Sequence, residues 1–444
     1  MLFKRKATDK LKQWKEQSDG TYAALLEGAR RTGKSTIAEA FAKVEYQSYI
    51  KVDFAEVSND VLNVFSSLSL LDDFFLRLQA VMGVTLYPRK SVIIFDEVQL
   101  QPKVRQAIKY LVKDRRYDYI ETGSLLSIRK NVKDIVIPSE EWKIPVYPMD
   151  YEEFLWATGR QDFSLLRQMY VAGKPVGQAV NRSLMRDYRI YMAVGGMPQA
   201  VDAYLEKKNF QEIDRIKRGI VDLYEEDFFK IDPSGRISLM FESIPAQLAR
   251  NAKRFTFYYV WKKKVRDKDY ELLADLINSR TVLPCYHCHD PQLSLSQGKD
   301  PDTFKLYLSD TGLFVTLLLK TKTGVDESLY ARFLSDTLPA NLGFLYENAV
   351  AQTFASRGED LYYMTWPKLD STHSYEVDFL LSKGRNIIPI EVKSSRTVFH
   401  ASLDAFCKKY SSLVKEPYML SQKDISHDSS LRTYPFYLAS CIGT

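Results

Sequence analysis

Long apolar runs are missing. No stretch of the 444 residues approaches the roughly 20 consecutive apolar side chains a bilayer-spanning helix needs, so no membrane partner is expected. Cysteine is scarce: the chain has four, and Cys285, Cys288, Cys407 and Cys441 are too irregularly spaced for a disulfide framework in a chain this long. A strong excess of one charge is also absent. The formal net charge of +6 leans weakly towards anionic partners and excludes a histone-like binder. Met1-Leu2-Phe3-Lys4-Arg5-Lys6 leads into polar residues instead of a signal-peptide core, so the expected location is cytoplasmic. What is present is globular in character, 45% hydrophobic and 27% charged. The length exceeds what one core sustains, and two to four domains are expected.

The most specific stretch is Gly28-Ala29-Arg30-Arg31-Thr32-Gly33-Lys34-Ser35, preceded by the apolar Ala23-Ala24-Leu25-Leu26 and followed by Thr36-Ile37-Ala38-Glu39-Ala40-Phe41-Ala42. Strand, glycine-bounded loop and helix in this order form a phosphate-binding loop, whose backbone N–H groups converge on phosphate oxygens at a helix N-terminus. Lys34 would reach the β- and γ-phosphates of a nucleotide and Ser35 would hold Mg²⁺, which makes ATP and Mg²⁺ the expected cofactors. Strand Tyr49–Phe54 and a helix from Leu70-Leu71 to Met82 follow. Ser91-Val92-Ile93-Ile94-Phe95-Asp96-Glu97 then reads as a strand buried on both faces that ends in two carboxylates. Acidic residues after a strand also cap helices. Beside a phosphate loop, Asp96 would support Mg²⁺ through water and Glu97 would deprotonate the attacking water, which points to hydrolysis.

Val104, Ile108, Leu111 and Val112 mark the apolar face of a further helix, and Tyr117–Thr122 is the next strand. At its end Thr122 or Ser124 would sense the γ-phosphate, with a helix N-cap as the alternative role. A fifth strand is expected near Ile144-Pro145-Val146-Tyr147. Asp150-Tyr151-Glu152-Glu153-Phe154-Leu155 then opens a helix behind Pro148. The Arg-Arg-x-Gly-Lys-Ser loop, Phe-Asp-Glu, Thr-Gly-Ser and Tyr-Pro-Met-x-x-Glu-Glu-Phe-Leu resemble the AAA-like ATPases whose C-terminal half carries domain of unknown function 4143. That family often has a Gly-Arg pair after Thr-Gly-Ser, where this chain has Ile135-Val136-Ile137-Pro138-Ser139-Glu140-Glu141. Arg30, Arg31, Arg129 and Arg186 all stay open as arginine fingers, and a homo-oligomer would let one act in trans.

From Phe163 to about Ile231 the pattern is helical, broken at Val194-Gly195-Gly196-Met197-Pro198, a hinge or turn. The resemblance places a helical lid here. Ser243 to Leu283 reads as short helices followed by a strand, the order of a winged helix-turn-helix. Arg250, Lys253, Arg254, Lys262, Lys263, Lys264, Arg266 and Lys268 are interleaved with Tyr258, Tyr259 and Trp261. This is either a DNA-contacting surface, with a recognition helix near Asp269–Ile277, or a solvated basic face. Cys285-Tyr286-His287-Cys288-His289 puts Cys285, His287 and His289 on one strand face, but no second Cys/His pair completes a tetrahedral set. It reads as a strand of the wing.

Phe304–Leu308 is a strand, Thr321-Lys322-Thr323-Gly324 a linker, and Gly343 starts a helix carrying Glu347. A hairpin then turns at Gly384, from Glu376-Val377-Asp378-Phe379-Leu380 into Ile388-Pro389-Ile390-Glu391-Val392-Lys393. Counting outward from the turn sets Asp378 almost opposite Glu391, and period two puts Glu391 and Lys393 on one face. Such a set would hold one or two Mg²⁺ ions, with Glu347 completing the shell and Lys393 positioning water. Helix Glu, strand Asp and Glu-x-Lys resemble the PD-(D/E)xK nuclease core. A helix from Phe399 to Tyr410 and strands at Tyr418–Leu420 and Phe436–Ala439 extend it.

The expected fold is α/β: a P-loop NTPase parallel sheet with a helical lid, a winged-helix-like module and a C-terminal PD-(D/E)xK-like α/β domain. The expected boundaries are residues 1–160 for the AAA-like ATPase, 161–231 for the lid, 232–325 for the winged-helix-like module and 326–444 for the nuclease-like domain. The nucleotide site comprises Gly28, Ala29, Arg30, Arg31, Thr32, Gly33, Lys34, Ser35, Thr36, Thr122 and Ser124, with Asp96 and Glu97. The expected function is ATP hydrolysis controlling a nuclease-like domain on DNA bound through the basic 250–268 region. The alternative is a nucleotide-switched regulator or scaffold that binds nucleic acid or protein without cutting.

Overall fold

Five short strands, β1 (Ala23–Glu27), β2 (Ser48–Asp53), β3 (Ser91–Asp96), β4 (Asp118–Gly123) and β5 (Glu141–Pro145), pair in parallel in the order β2-β3-β4-β1-β5. They belong to a computed structural model that describes residues 2–68, 70–124, 138–207, 209–250, 252–262, 264–319, 327–335, 343–368, 371–394, 400–427 and 431–443. Alternate side chains of β3 enter different cores, as a sheet covered on both faces requires. Ile93 and Phe95 pack with Phe74, Leu78, Ile108 and Leu111, while Val92 and Ile94 pack with Leu11, Trp14, Ile37 and Phe41. The second core includes a helix at Lys6–Ser18. Because β4 lies between β1 and β3, the C-terminal ends of these three strands meet at one edge, where ligands of open α/β sheets bind.

β5 begins three residues earlier than expected, at Glu141. An acid is a poor strand opener, but Arg105 holds both Glu141 oxygens, at 2.7 and 2.8 Å, and makes its burial tolerable. Arg129, Lys263, Ile135–Ile137 and the linker Thr321–Gly324 lie outside the described residues.

The chain divides into two compact units, Met1–Tyr147 with Asn278–Arg280, and Pro148–Ile277 with Thr281–Thr444. The second unit opens on a capping box in which Asp150 and Glu153 bind each other's backbone N–H, as its sequence encodes. Helices span Phe163–Ala172, Gln178–Val194, Pro198–Lys207 and Phe210–Ile231. Helices Arg236–Ala249, Phe257–Trp261 and Asp267–Asn278 precede a hairpin of β6 (Val282–Cys288) and β7 (Lys299–Leu308). That hairpin is not a free wing. β6 pairs in parallel with β8 (Leu361–Pro367), so an eight-stranded sheet runs continuously across the boundary expected after residue 325. β9 (Ser374–Lys383), β10 (Asn386–Lys393), β11 (Tyr418–Ser421), β12 (Ser426–His427) and β13 (Arg432–Pro435) complete it in the order β12-β13-β11-β10-β9-β8-β6-β7. The strand expected at Phe436–Ala439 is instead a 3₁₀ helix, Phe436–Cys441, entered from Pro435 and buried around its circumference, with Phe436 stacked on Tyr346 at 4.3 Å. Among the described residues no helix is long and apolar enough to cross a membrane.

The Gly195-Gly196 break is a tightly packed turn. Gly196 donates its N–H to Asp310 at 2.6 Å and accepts from Met149 N–H at 2.7 Å, and a Cβ on it would lie 2.0 Å from the Met149 carbonyl oxygen. Backbone cannot yield there. Gly196→Ala is expected to cost about 3 kcal/mol, read as a lower urea midpoint at unchanged slope.

Candidate functional site

The loop between β1 and the helix Lys34–Glu45 is built for close backbone approach. Gly33 takes a φ of 91°, Arg31 a φ of 69°, and a Cβ on Gly28 would lie 2.1 Å from the Val146 carbonyl oxygen. Arg5 fastens the loop by donating to the Thr32 carbonyl at 2.9 Å, and the Thr32 hydroxyl donates to the Ala29 carbonyl at 3.0 Å. Lys34 is buried and its ammonium donates to the carbonyls of Gly28 and Ala29, at 3.2 and 2.9 Å. Burial lowers its pKa to about 8 against the opposing pull of Glu97 and Asp96. Ser35 and Thr36 lie in the first turn of the helix, where N–H groups are free of intrahelical partners.

Tertiary structure brings Asp96 to this loop from 61 residues away, and the Ser35 hydroxyl donates to it at 2.6 Å. Thr122, inside β4 and therefore no helix cap, donates to the same Asp96 oxygen and accepts from the Glu97 N–H at 3.2 Å. Ser124 lies just beyond β4. Glu97 adopts a left-handed φ of 54° at the end of β3 and accepts from Gln99. Such strain in a non-glycine residue fits a carboxylate aimed by its turn. Two participants escaped the sequence reading. Lys51 on β2 approaches Asp96 at 3.2 Å, and Gln99 orients Glu97. A lysine within the apolar Tyr49–Phe54 strand was the available signal. A hydroxyl, a carboxylate and a buried ammonium around a glycine cradle suit a Mg²⁺-bound phosphate chain. Arg31 and Arg186 are exposed.

The second unit carries the other expected cluster. The β9–β10 ladder runs from Asn386 with Lys383 out to Ile390 with Phe379, and Asp378 and Glu391 are the next residues of the two strands beyond it. The Val392 N–H donates to Asp378 at 2.7 Å, and Lys393 binds Glu391 at 2.7 Å. Glu347 comes from the helix Gly343–Ser356, and it and Asp378 both act electrostatically on Lys393. The sequence reading missed the residue at the centre. Lys305, on β7 and 5% exposed, binds Glu376 at 2.5 Å and Glu347 at 3.6 Å, while the Tyr307 hydroxyl donates to Glu347 at 3.2 Å. A lone charge within Phe304–Leu308 was its signal. Burial, then Glu347, raises the Asp378 pKa well above the carboxylate range, and Lys305 opposes this. Burial of Lys305 is outweighed by Tyr307, Glu347, Glu376 and Asp378, which hold it firmly protonated.

Glu391 is 3% exposed, one of its oxygens is buried without a hydrogen-bond partner among the described residues, and burial raises its pKa. A raised carboxyl pKa gives stability that is complete below the unfolded value near 4.3 and lost as pH rises through the folded value. Glu391→Gln is therefore expected to resist urea better than the native chain at pH 7, the difference vanishing towards pH about 4. Urea titrations at both pH values check it.

Arg250, Lys253, Arg254, Lys262, Lys264, Arg266 and Lys268 are all exposed, and Tyr258 and Tyr259 are 63% and 50% exposed beside them.

Residues 21–155 match the family model of an AAA domain, residues 185–324 that of domain of unknown function DUF8612, and residues 342–434 that of domain of unknown function DUF4143. The AAA-like domain and the C-terminal domain expected from the motifs are thus both present. The uncharacterized protein MJ1637 of Methanocaldococcus jannaschii is 22% identical over 198 residues, which are 42% of this chain and 40% of that protein. Among solved structures, the Walker-type ATPase PABY2304 of Pyrococcus abyssi is similar at 14% identity and a TM-score of 0.45, over 71% of this chain and 96% of that one. Cdc6p from Pyrobaculum aerophilum is similar at 12% identity and a TM-score of 0.24, over 76% of this chain and 97% of that one.

Proposed function

We propose that the AAA domain binds and hydrolyses ATP with Mg²⁺ and that its nucleotide state controls a PD-(D/E)xK-like domain acting on DNA. The observation that carries the first half is the hydrogen-bonded group Ser35, Asp96 and Thr122 at the strand ends, with Lys34 and Glu97 beside it. Bound Mg²⁺ would neutralise phosphate charge as the terminal phosphoryl group is displaced. Residues Gly28 to Thr36 cradle the phosphates through backbone N–H groups. Lys34 would exchange its loop carbonyls for phosphate oxygens, and Ser35 and Asp96 would hold the ion. Glu97 takes the proton of the attacking water, and Thr122 links Asp96 to the Glu97 backbone so that both respond to the γ-phosphate.

For the second half, Asp378, Glu391, Lys393 and Glu347 form the cutting centre, and the exposed basic and tyrosine side chains of 250–268 bind DNA. Lys262, Lys264 and Lys268 reversed together to glutamate are expected to weaken DNA retention at least tenfold at about 100 mM salt and to flatten its salt dependence by about three counterions. Retention on immobilised DNA across a salt series measures this.

One observation favours a second reading. Lys305 already supplies a buried positive charge to Glu347 and Glu376, the role a metal ion would play, which suits a domain that binds without cutting. The purified chain with ATP and Mg²⁺ or Mn²⁺, tested on duplex DNA, single-stranded DNA and RNA, separates the two. Metal-dependent cleavage that Asp378→Ala abolishes supports the nuclease. DNA-stimulated ATP turnover without cleavage supports the binding module.

A further inference from the structure

The outer end of the β6–β7 hairpin carries a side-chain group used by neither site above. His287 and His289 lie two residues apart, with ring centroids 4.8 Å apart. The ladder jumps from Tyr286 opposite Phe304 to His287 opposite Asp300, so the extra residues of β7 deliver a carboxylate to the histidines. His289 Nε2 lies 3.0 Å from Asp300 Oδ2, and one ligand atom from each of the three residues falls within 4.8 Å of the others. The partner that the Cys/His motif lacked in sequence is thus an aspartate eleven residues on.

His287 supplies the independent observation. It is 6% exposed, and its Nδ1 is buried with no hydrogen-bond partner among the described residues. Its Nε2 accepts the Thr365 N–H at 3.1 Å and lies 3.3 Å from Thr365 O and 3.2 Å from Thr365 Oγ1. Binding a cation through Nδ1 moves the ring proton to Nε2, which then exchanges the Thr365 N–H for Thr365 O or Oγ1 as its partner. A backbone or side-chain oxygen receiving the second N–H is the usual support of a metal-bound imidazole.

We propose that His287, His289 and Asp300 bind a divalent transition-metal ion, with Zn²⁺ as the probe. Two imidazoles and one carboxylate suit Zn²⁺ better than Mg²⁺ or Ca²⁺, which prefer all-oxygen shells. Tetrahedral bonds of about 2.1 Å set ligand atoms roughly 3.4 Å apart. The side chain of His289, 67% exposed, is free to turn through the remaining distance. Water fills the fourth position. The ion would clamp the hairpin whose second strand carries Lys305.

The test uses the full chain without a histidine tag. About one equivalent of Zn²⁺ is expected to bind in competition with a chromophoric chelator, and Co²⁺ is expected to give visible d–d bands. His289→Ala and Asp300→Asn change side chains at the accessible edge and are each expected to weaken binding at least tenfold. Asp378→Asn and Lys34→Ala, which alter the two sites above, are expected to bind Zn²⁺ as the native chain does. Native-like binding by His289→Ala, or loss that follows Asp378→Asn instead, overturns the proposal.

Discussion

Lys34→Ala is expected to lower ATP turnover by about 10²–10³-fold, because the ammonium meets charge that grows on the phosphate oxygens in the transition state. Glu97→Gln should lower it about 10²–10⁴-fold while leaving ATP bound, since the amide keeps the shape of the carboxylate but takes no proton. Turnover and equilibrium nucleotide binding, measured on both variants, distinguish these effects. Unchanged turnover in either would remove the assigned role. The pH dependence follows from the same lysine. Burial holds its pKa near 8 in the free protein, and binding to phosphate requires the charged form. Affinity for ATP is therefore expected to be level at lower pH and to fall above about 8, by up to tenfold per pH unit.

Lys305→Met should destabilise the second unit by about 3–5 kcal/mol, since it leaves carboxylates packed together without their ammonium while the stem volume is retained. Lys305 has a raised folded pKa, so its own contribution is complete throughout the acid and neutral range and cannot make the deficit pH-dependent there. The carboxylates can. Asp378 already has a raised pKa, and removing the cation raises it further. The deficit is expected at neutral pH and should shrink as pH falls towards the unfolded carboxylate value near 4. Urea unfolding at pH 7 and at about pH 4.5 measures both parts. A deficit equal at the two values would show that Lys305 acts through packing instead of charge.

Local pattern carried the reading wherever a few adjacent residues decide the outcome. The phosphate loop, the helix opening at Asp150 and the hairpin turning at Gly384 all depend on short-range geometry, and each stands where its residues indicated. The register of that hairpin, which leaves Asp378 and Glu391 just beyond the end of its ladder, follows from the short turn at Gly384 and period two. Glu141 was misread because its partner lies 36 residues earlier in the chain. Phe436–Cys441 was misread because a short, wholly buried apolar run has the same composition in a strand and a helix.

A phosphate loop, an Asp-Glu strand and an Asp…Glu-x-Lys hairpin are legible in the chain alone, because each is written in neighbouring residues. What stands beside them depends on how distant segments pack. Strand order places Thr122 between the Asp96 carboxylate and the Glu97 backbone, sheet continuity carries Lys305 from β7 into the carboxylate cluster, and an irregular register brings Asp300 to His287. Sheet neighbours can be distant in sequence, and the hydrogen bonds that select them leave no trace in local composition.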